Sequence, residues 1–168
     1  MILWFAGMSF VLVWTVFKDT AIDYRLVMAG ALLPDAVDVF LGGPRVLHSV
    51  TCSVVLLVGV MSATRGRRRL RRRLLAVPIG TFCHLVLDAT WARSVTFWWP
   101  FLGRSFAGEG LPSLDRPVAL LVVLELAGAA ALAWAWSRFR LGESERRVEF
   151  FRTGRLGRDL APGPLPHA

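Results

Sequence analysis

Five apolar stretches take up most of this chain, at residues 2–17, 26–41, 46–63, 74–92 and 117–136. They are continuous rather than alternating, which argues for helices and against a closed β-barrel, whose strands alternate with period two. Crossing a bilayer as a helix takes roughly 20 residues, within a range of about 17–25. The last three stretches meet that length, and the first two are short enough to be tilted or partly embedded. The expected fold is all-α: a polytopic transmembrane bundle of four to five spans over residues 1–136, followed by a basic cytoplasmic tail over 137–168. The tail runs into Ala161-Pro162-Gly163-Pro164 and is expected to be disordered.

Composition closes off the other classes. The 168 residues are 55% hydrophobic and 19% charged, where soluble domains average about 45–50% and roughly 25%. Cys52 and Cys83 are the only cysteines and both sit in apolar runs, so a disulfide scaffold is excluded. A net charge of +8 would suit a nucleic-acid binder. Seven of the arginines, however, fill the short link at 65–73 between two apolar stretches, where membrane orientation alone explains them. The partner expected is the lipid bilayer, with no nucleic acid.

Basic loops stay cytoplasmic. With five spans and an external N-terminus, sixteen of the twenty Lys and Arg residues fall inside. Lys18, Arg25, the 65–73 run and the tail arginines from Arg138 to Arg158 make up that group. Arg45, Arg93, Arg104 and Arg116 fall outside. No Lys or Arg precedes Lys18, so residues 2–17 do not read as a secretory signal. A multi-pass protein of the inner or plasma membrane is expected.

Ionisable residues inside apolar runs are costly, about 2.5–3.5 kcal/mol for an aspartate at a helix centre. Asp35, Asp38, His48, His84, Asp88 and Glu125 are the instances here. The orientation set by the basic residues gathers the first five toward the outer face. His84 and Asp88 lie four apart, on one helix face, with Gly80 a turn earlier where a neighbouring helix could approach closely. Asp35 and Asp38 lie three apart after Pro34, which is expected to kink the helix. Gly42-Gly43-Pro44 reads as a turn that returns His48 toward Asp38. Two imidazoles and three carboxylates suit Zn²⁺, or Mn²⁺ or Fe²⁺ at higher coordination. Such a metal would supply a hydroxide nucleophile, with Asp35 or Asp38 as general base. The plainer alternative pairs the aspartates with Arg45 and Arg93 and leaves the histidines to ordinary interhelical hydrogen bonds. Glu125 is a weaker candidate for supporting the site or pairing with an outer arginine. Phe97, Trp98 and Trp99 read as an interfacial belt, and no role is expected for His167.

Leu33-Pro34-Asp35-x-x-Asp38, then His48-Ser49, then Gly80-x-x-x-His84-x-x-x-Asp88 and Trp99-Pro100-Phe101 together resemble the YdjM-type family of membrane-bound metal-dependent hydrolases. The resemblance runs from about Leu33 to Phe101. It implies a multi-span inner-membrane protein with a His/Asp metal site, carried here by Asp35, Asp38, His48, His84 and Asp88. The chain departs from the family pattern at Gly43 and Leu47, where the family's HRGxTHS element has histidine and threonine, and at Val39. This thinned set is enough for one metal. Two functions follow. One is a hydrolase acting on a lipid or lipid-linked ester or phosphoester near the outer face. The other is a non-catalytic membrane protein, such as a small transporter, ion-binding or assembly factor, using the same polar cluster.

Overall fold

The computed structural model describes residues 1–41 (side chains to 37), 46–92, 94–103, 116–157 and 159. Every regular element among them is helical. In chain order these are α1 (Ile2–Phe17), α2 (Tyr24–Leu41), α3 (Val50–Ala63), α4 (Arg68–Leu74), α5 (Ala76–Leu87), α6 (Ser94–Phe97), α7 (Val118–Arg138) and α8 (Ser144–Thr153). Single 3₁₀ turns at Val46–His48 and Thr90–Ala92 flank α3 and follow α5. The all-α expectation holds.

Helix lengths differ from the sequence expectation. Among the described residues only α7 is long and apolar enough to cross a membrane by itself, while α1 and α3 are shorter apolar helices. The third and fourth stretches were expected to be full-length, and their polar residues shorten them. His48 and Ser49 hold a 3₁₀ turn, so α3 starts only at Val50. Asp88 caps the C-terminus of α5, and Ala89 follows in the left-handed region with φ of 56°. At the other end of α5, Leu75 is still right-handed helical and links it to α4. Most of the arginine run, expected to be a loop, is therefore a helix, α4, leading directly into α5.

Glycine sets how the bundle closes. A Cβ on Gly80 of α5 would run into the backbone of α2 at the Val27 carbonyl, the Ala31 nitrogen and Gly30 Cα. Gly7 of α1 and Gly128 of α7 meet in the same way, Gly128 lying on the backbone of Leu3 and Trp4. Small residues let helices approach backbone to backbone, and packing then replaces the hydrophobic effect that lipid removes. In both pairs the two helices run in the same direction.

One end of the bundle is aromatic and basic. Phe10 packs on Tyr24 at 4.5 Å between ring centroids, and Trp14 meets Phe139 edge-on at 4.8 Å. Residues 144–157 of the tail, which was expected to be disordered, join this core, because α8 buries Phe150 against it. Gly154 ends α8 at φ of 73°, where its carbonyl accepts the Tyr24 N–H at 2.8 Å. The Leu156 N–H donates to the Thr20 carbonyl and the Arg25 guanidinium to that of Phe151. Residues 160–168, with Ala161-Pro162-Gly163-Pro164 and His167, lie outside the described residues.

Much of the outer surface is apolar. Val54, Val55, Leu57, Val58 and Met61 of α3 are exposed, and on α7 only Gly128 and Ala135 are buried. Contiguous apolar surface of this extent marks contact with membrane or partner.

Candidate metal centre

At the end opposite the arginines, three elements bring together three side chains. Asp35 comes from α2, His48 from the 3₁₀ turn before α3, and His84 from α5. The close α2–α5 packing at Gly80 places Asp35 and His84 across one helix pair. The position of His48 depends on Ser49. Its hydroxyl donates to the Val46 carbonyl at 2.7 Å and accepts the Cys52 N–H at 3.1 Å, so it closes the turn and caps α3 at once. The His-Ser pair in the sequence is thus a ligand candidate and the residue that aims it.

Both imidazoles are fully buried. His84 Nδ1 lies 2.7 Å from the Ala31 carbonyl. A carbonyl only accepts, so Nδ1 donates to it, and in the neutral form of the ring Nε2 keeps its lone pair and points inward. That lone pair faces His48 Nε2 at 3.1 Å. Asp35 Oδ1 completes the triangle at 3.4 Å from His48 Nε2 and 3.6 Å from His84 Nε2. It is buried and accepts no hydrogen bond among the described residues. Four-coordinate zinc, bonded to nitrogen at about 2.0–2.1 Å, spaces neighbouring donors about 3.3 Å apart. The three separations bracket that value. Three protein donors among the described residues leave a fourth position, which catalytic zinc sites keep open. Phe5 of α1 covers the His84 ring at 4.0 Å between centroids. Asp35 is the exposed member of the three, with 23% of its side chain accessible, so the cluster is reached from the Asp35 side.

Of the other two expected ligands, one lies beyond what the structure describes and one is turned elsewhere. Asp38 belongs to α2, and its side chain lies outside the described residues. Asp88 sits four residues beyond His84, as the spacing predicted, but it ends α5 and turns to Arg116. The Arg116 Nη2 donates to Asp88 Oδ1 at 3.1 Å and to its main-chain carbonyl at 2.7 Å. Thr90 donates to Oδ2 at 3.4 Å. Asp88 therefore ties the start of α7 to the end of α5. Arg45 and Arg93, the partners expected for the aspartates in the plainer reading, lie outside the described residues. Glu125 accepts the Leu3 N–H at 2.9 Å, which satisfies a first-turn donor of α1 and gives this mid-helix carboxylate its job. Trp98 is half-exposed, and the Trp99 carbonyl accepts the Thr51 hydroxyl at 2.6 Å, fastening the 94–103 segment to α3. Cys52 and Cys83 are free thiols, Cys83 buried in the core.

Sequence reasoning missed Arg116 and Phe5. Arg116 stood out only as one more external basic residue, and nothing in the spacing links it to an aspartate 28 positions earlier. The pairing predicts a specific outcome for Asp88→Asn. Arg116 is left unpaired with only 18% of its side chain exposed, a loss of about 3 kcal/mol. Thermal unfolding in detergent should show that destabilisation, while any metal held by the Asp35–His48–His84 triangle stays with the molecules that remain folded. Loss of metal without loss of stability would return Asp88 to the ligand set.

The apolar exterior and the polar cluster at one end define a helical membrane protein with a buried His/Asp centre. The chain belongs to the YdjM inner membrane protein family, whose model matches residues 2–144. That description names a location and no reaction. No curated protein and no solved structure matches the chain.

Proposed function

We propose that this protein is a membrane-embedded, metal-dependent hydrolase in which Asp35, His48 and His84 hold one divalent ion, zinc by preference. The observation that carries the reading is the triangle itself. The Nε2 atoms of two imidazoles and a carboxylate oxygen without a hydrogen bond among the described residues face one another at zinc-donor spacing. Manganese or iron would fit if further oxygen donors joined.

A metal bound there supplies a water whose pKa is drawn toward about 7. The remaining roles fall to the chain. Ala31 fixes the His84 tautomer through Nδ1, and Phe5 keeps that ring dry from one side. Asp38, one turn beyond Asp35 on α2, is the carboxylate we assign as general base, accepting the proton of the attacking water. Asp35 is committed to the cluster and is less suited to that task.

Orientation belongs to the same proposal. The chain crosses the membrane four to five times, with the arginine end and the C-terminus in the cytoplasm and the His/Asp centre toward the outer face. At that depth the substrate class is a lipid or a lipid-linked ester or phosphoester. The test is hydrolysis of short-chain ester and phosphodiester lipids by protein in detergent. Cleavage that stops with a chelator and returns on adding Zn²⁺ is the expected result. Metal-replete protein that cleaves neither class would leave an ion-binding protein without catalysis.

A further inference from the structure

The other end of the bundle holds a second polar pocket, and nothing in the metal chemistry uses it. It encloses about 230 Å³ and is lined by Ala21, Asp23, Arg72, Arg73, Arg152, Thr153 and Arg155. Four guanidinium groups therefore share it with one carboxylate. That carboxylate is already committed, since Asp23 Oδ2 lies 3.0 Å from both Arg25 and Arg73. Arg72 has its own partner in Asp19 at 2.7 Å. Partial burial opposes ionisation of Asp19, but the Ala21 N–H and the Arg72 guanidinium outweigh it and hold its carboxyl below the usual range. Arg152 and Arg155 have no ion-pair partner among the described residues. Arg155 still feels Asp19 at longer range, and four guanidinium groups set against Asp23 and Asp19 leave the pocket with an excess of positive charge.

We infer that this pocket binds the phosphate of an anionic phospholipid headgroup. Guanidinium forks match phosphate oxygens two at a time, and basic pockets beside membrane helices on the cytoplasmic side suit anionic headgroups. The depth is right, because Arg72 and Arg73 directly precede the apolar helix α5. A second observation favours lipid over free phosphate. Val148 and Phe151, three residues apart on α8, are 63% and 60% exposed next to Arg152. An exposed apolar pair beside arginines is the pattern of a helix lying in the headgroup boundary. The pocket would fasten α8 to the bilayer, and it stands whether or not the metal centre does.

The test uses the full chain, released from nonionic detergent and titrated separately with phosphatidylglycerol, phosphatidylcholine and inorganic phosphate, read by native mass spectrometry. One phosphatidylglycerol should be retained in preference to phosphatidylcholine. The double variant Arg152→Gln/Arg155→Gln should weaken it about thirtyfold. The pair Arg68→Gln/Arg69→Gln removes the same charge outside the pocket and should leave retention unchanged. Equal loss in both pairs would overturn a built pocket in favour of diffuse charge. Inorganic phosphate binding as tightly as the lipid would overturn the headgroup assignment, and so would undiminished lipid retention in the Arg152/Arg155 variant.

Discussion

Asp35→Asn should abolish the zinc binding proposed for the purified protein while leaving its fold in place. Wild-type protein, freed of metal by chelator and reloaded with Zn²⁺, should hold about one ion per chain. The asparagine keeps the shape of the aspartate but replaces the anionic carboxylate of the triangle with a neutral amide, a far weaker donor to a cation. Changes merely behind a ligand cost about 10–100-fold in metal affinity, so losing a ligand should cost more than about a hundredfold. His48→Ala and His84→Ala should have the same effect on metal. His84→Ala should also lower stability, because it empties space beneath Phe5 and abandons the Ala31 carbonyl. Elemental analysis alongside thermal unfolding separates these effects. An Asp35→Asn protein that stays folded with its full metal content would remove the metal centre and the hydrolase reading with it.

Much of this site was legible in the sequence, because the membrane makes buried polar residues conspicuous. Asp35, His48 and His84 stood out as ionisable groups within apolar runs, and the arginine pattern placed them at one end before any geometry was known. Gly80 was legible for a related reason: a glycine one turn before a buried histidine marks a close helix contact. The extents of α1 and α7 followed from apolar length within two residues. What stayed hidden depended on pairings between distant parts of the chain. Asp88 shares a helical face with His84 on spacing alone, yet α5 stops at that residue and Arg116 takes its carboxylate. The order in the tail was equally hidden. Its composition is that of a solvated end, and one aromatic residue, Phe150, finds a slot made by Phe10 and Phe139. Composition averages over a segment, whereas docking rests on one or two side chains.

Gly80→Leu should be among the most damaging single changes in the bundle. The glycine has no room even for a methyl group, because the obstruction is the α2 backbone rather than a side chain able to swing away. Relieving it means moving α5 off α2. Overpacking against side chains costs about 1–3 kcal/mol, so a clash with backbone should reach or exceed the upper end. The cost does not stop at stability. Asp35 and His84 sit on the two helices being forced apart, and the Ala31 carbonyl that fixes His84 is one residue from Gly30 at the crossing. Fold and metal should therefore fail together, unlike in Asp35→Asn, where metal alone is lost. Gly59 supplies the control, since a Cβ there would meet nothing within 4 Å. Gly59→Ala should leave unfolding temperature and metal content unchanged, or raise stability by up to about 1 kcal/mol through helix propensity. Measured side by side in detergent, Gly80→Leu should be aggregated or unfold well below wild type. If it unfolds at the wild-type temperature with metal bound, the helices do not meet at Gly80, and the pairing of α2 with α5 that builds the centre is not the one described.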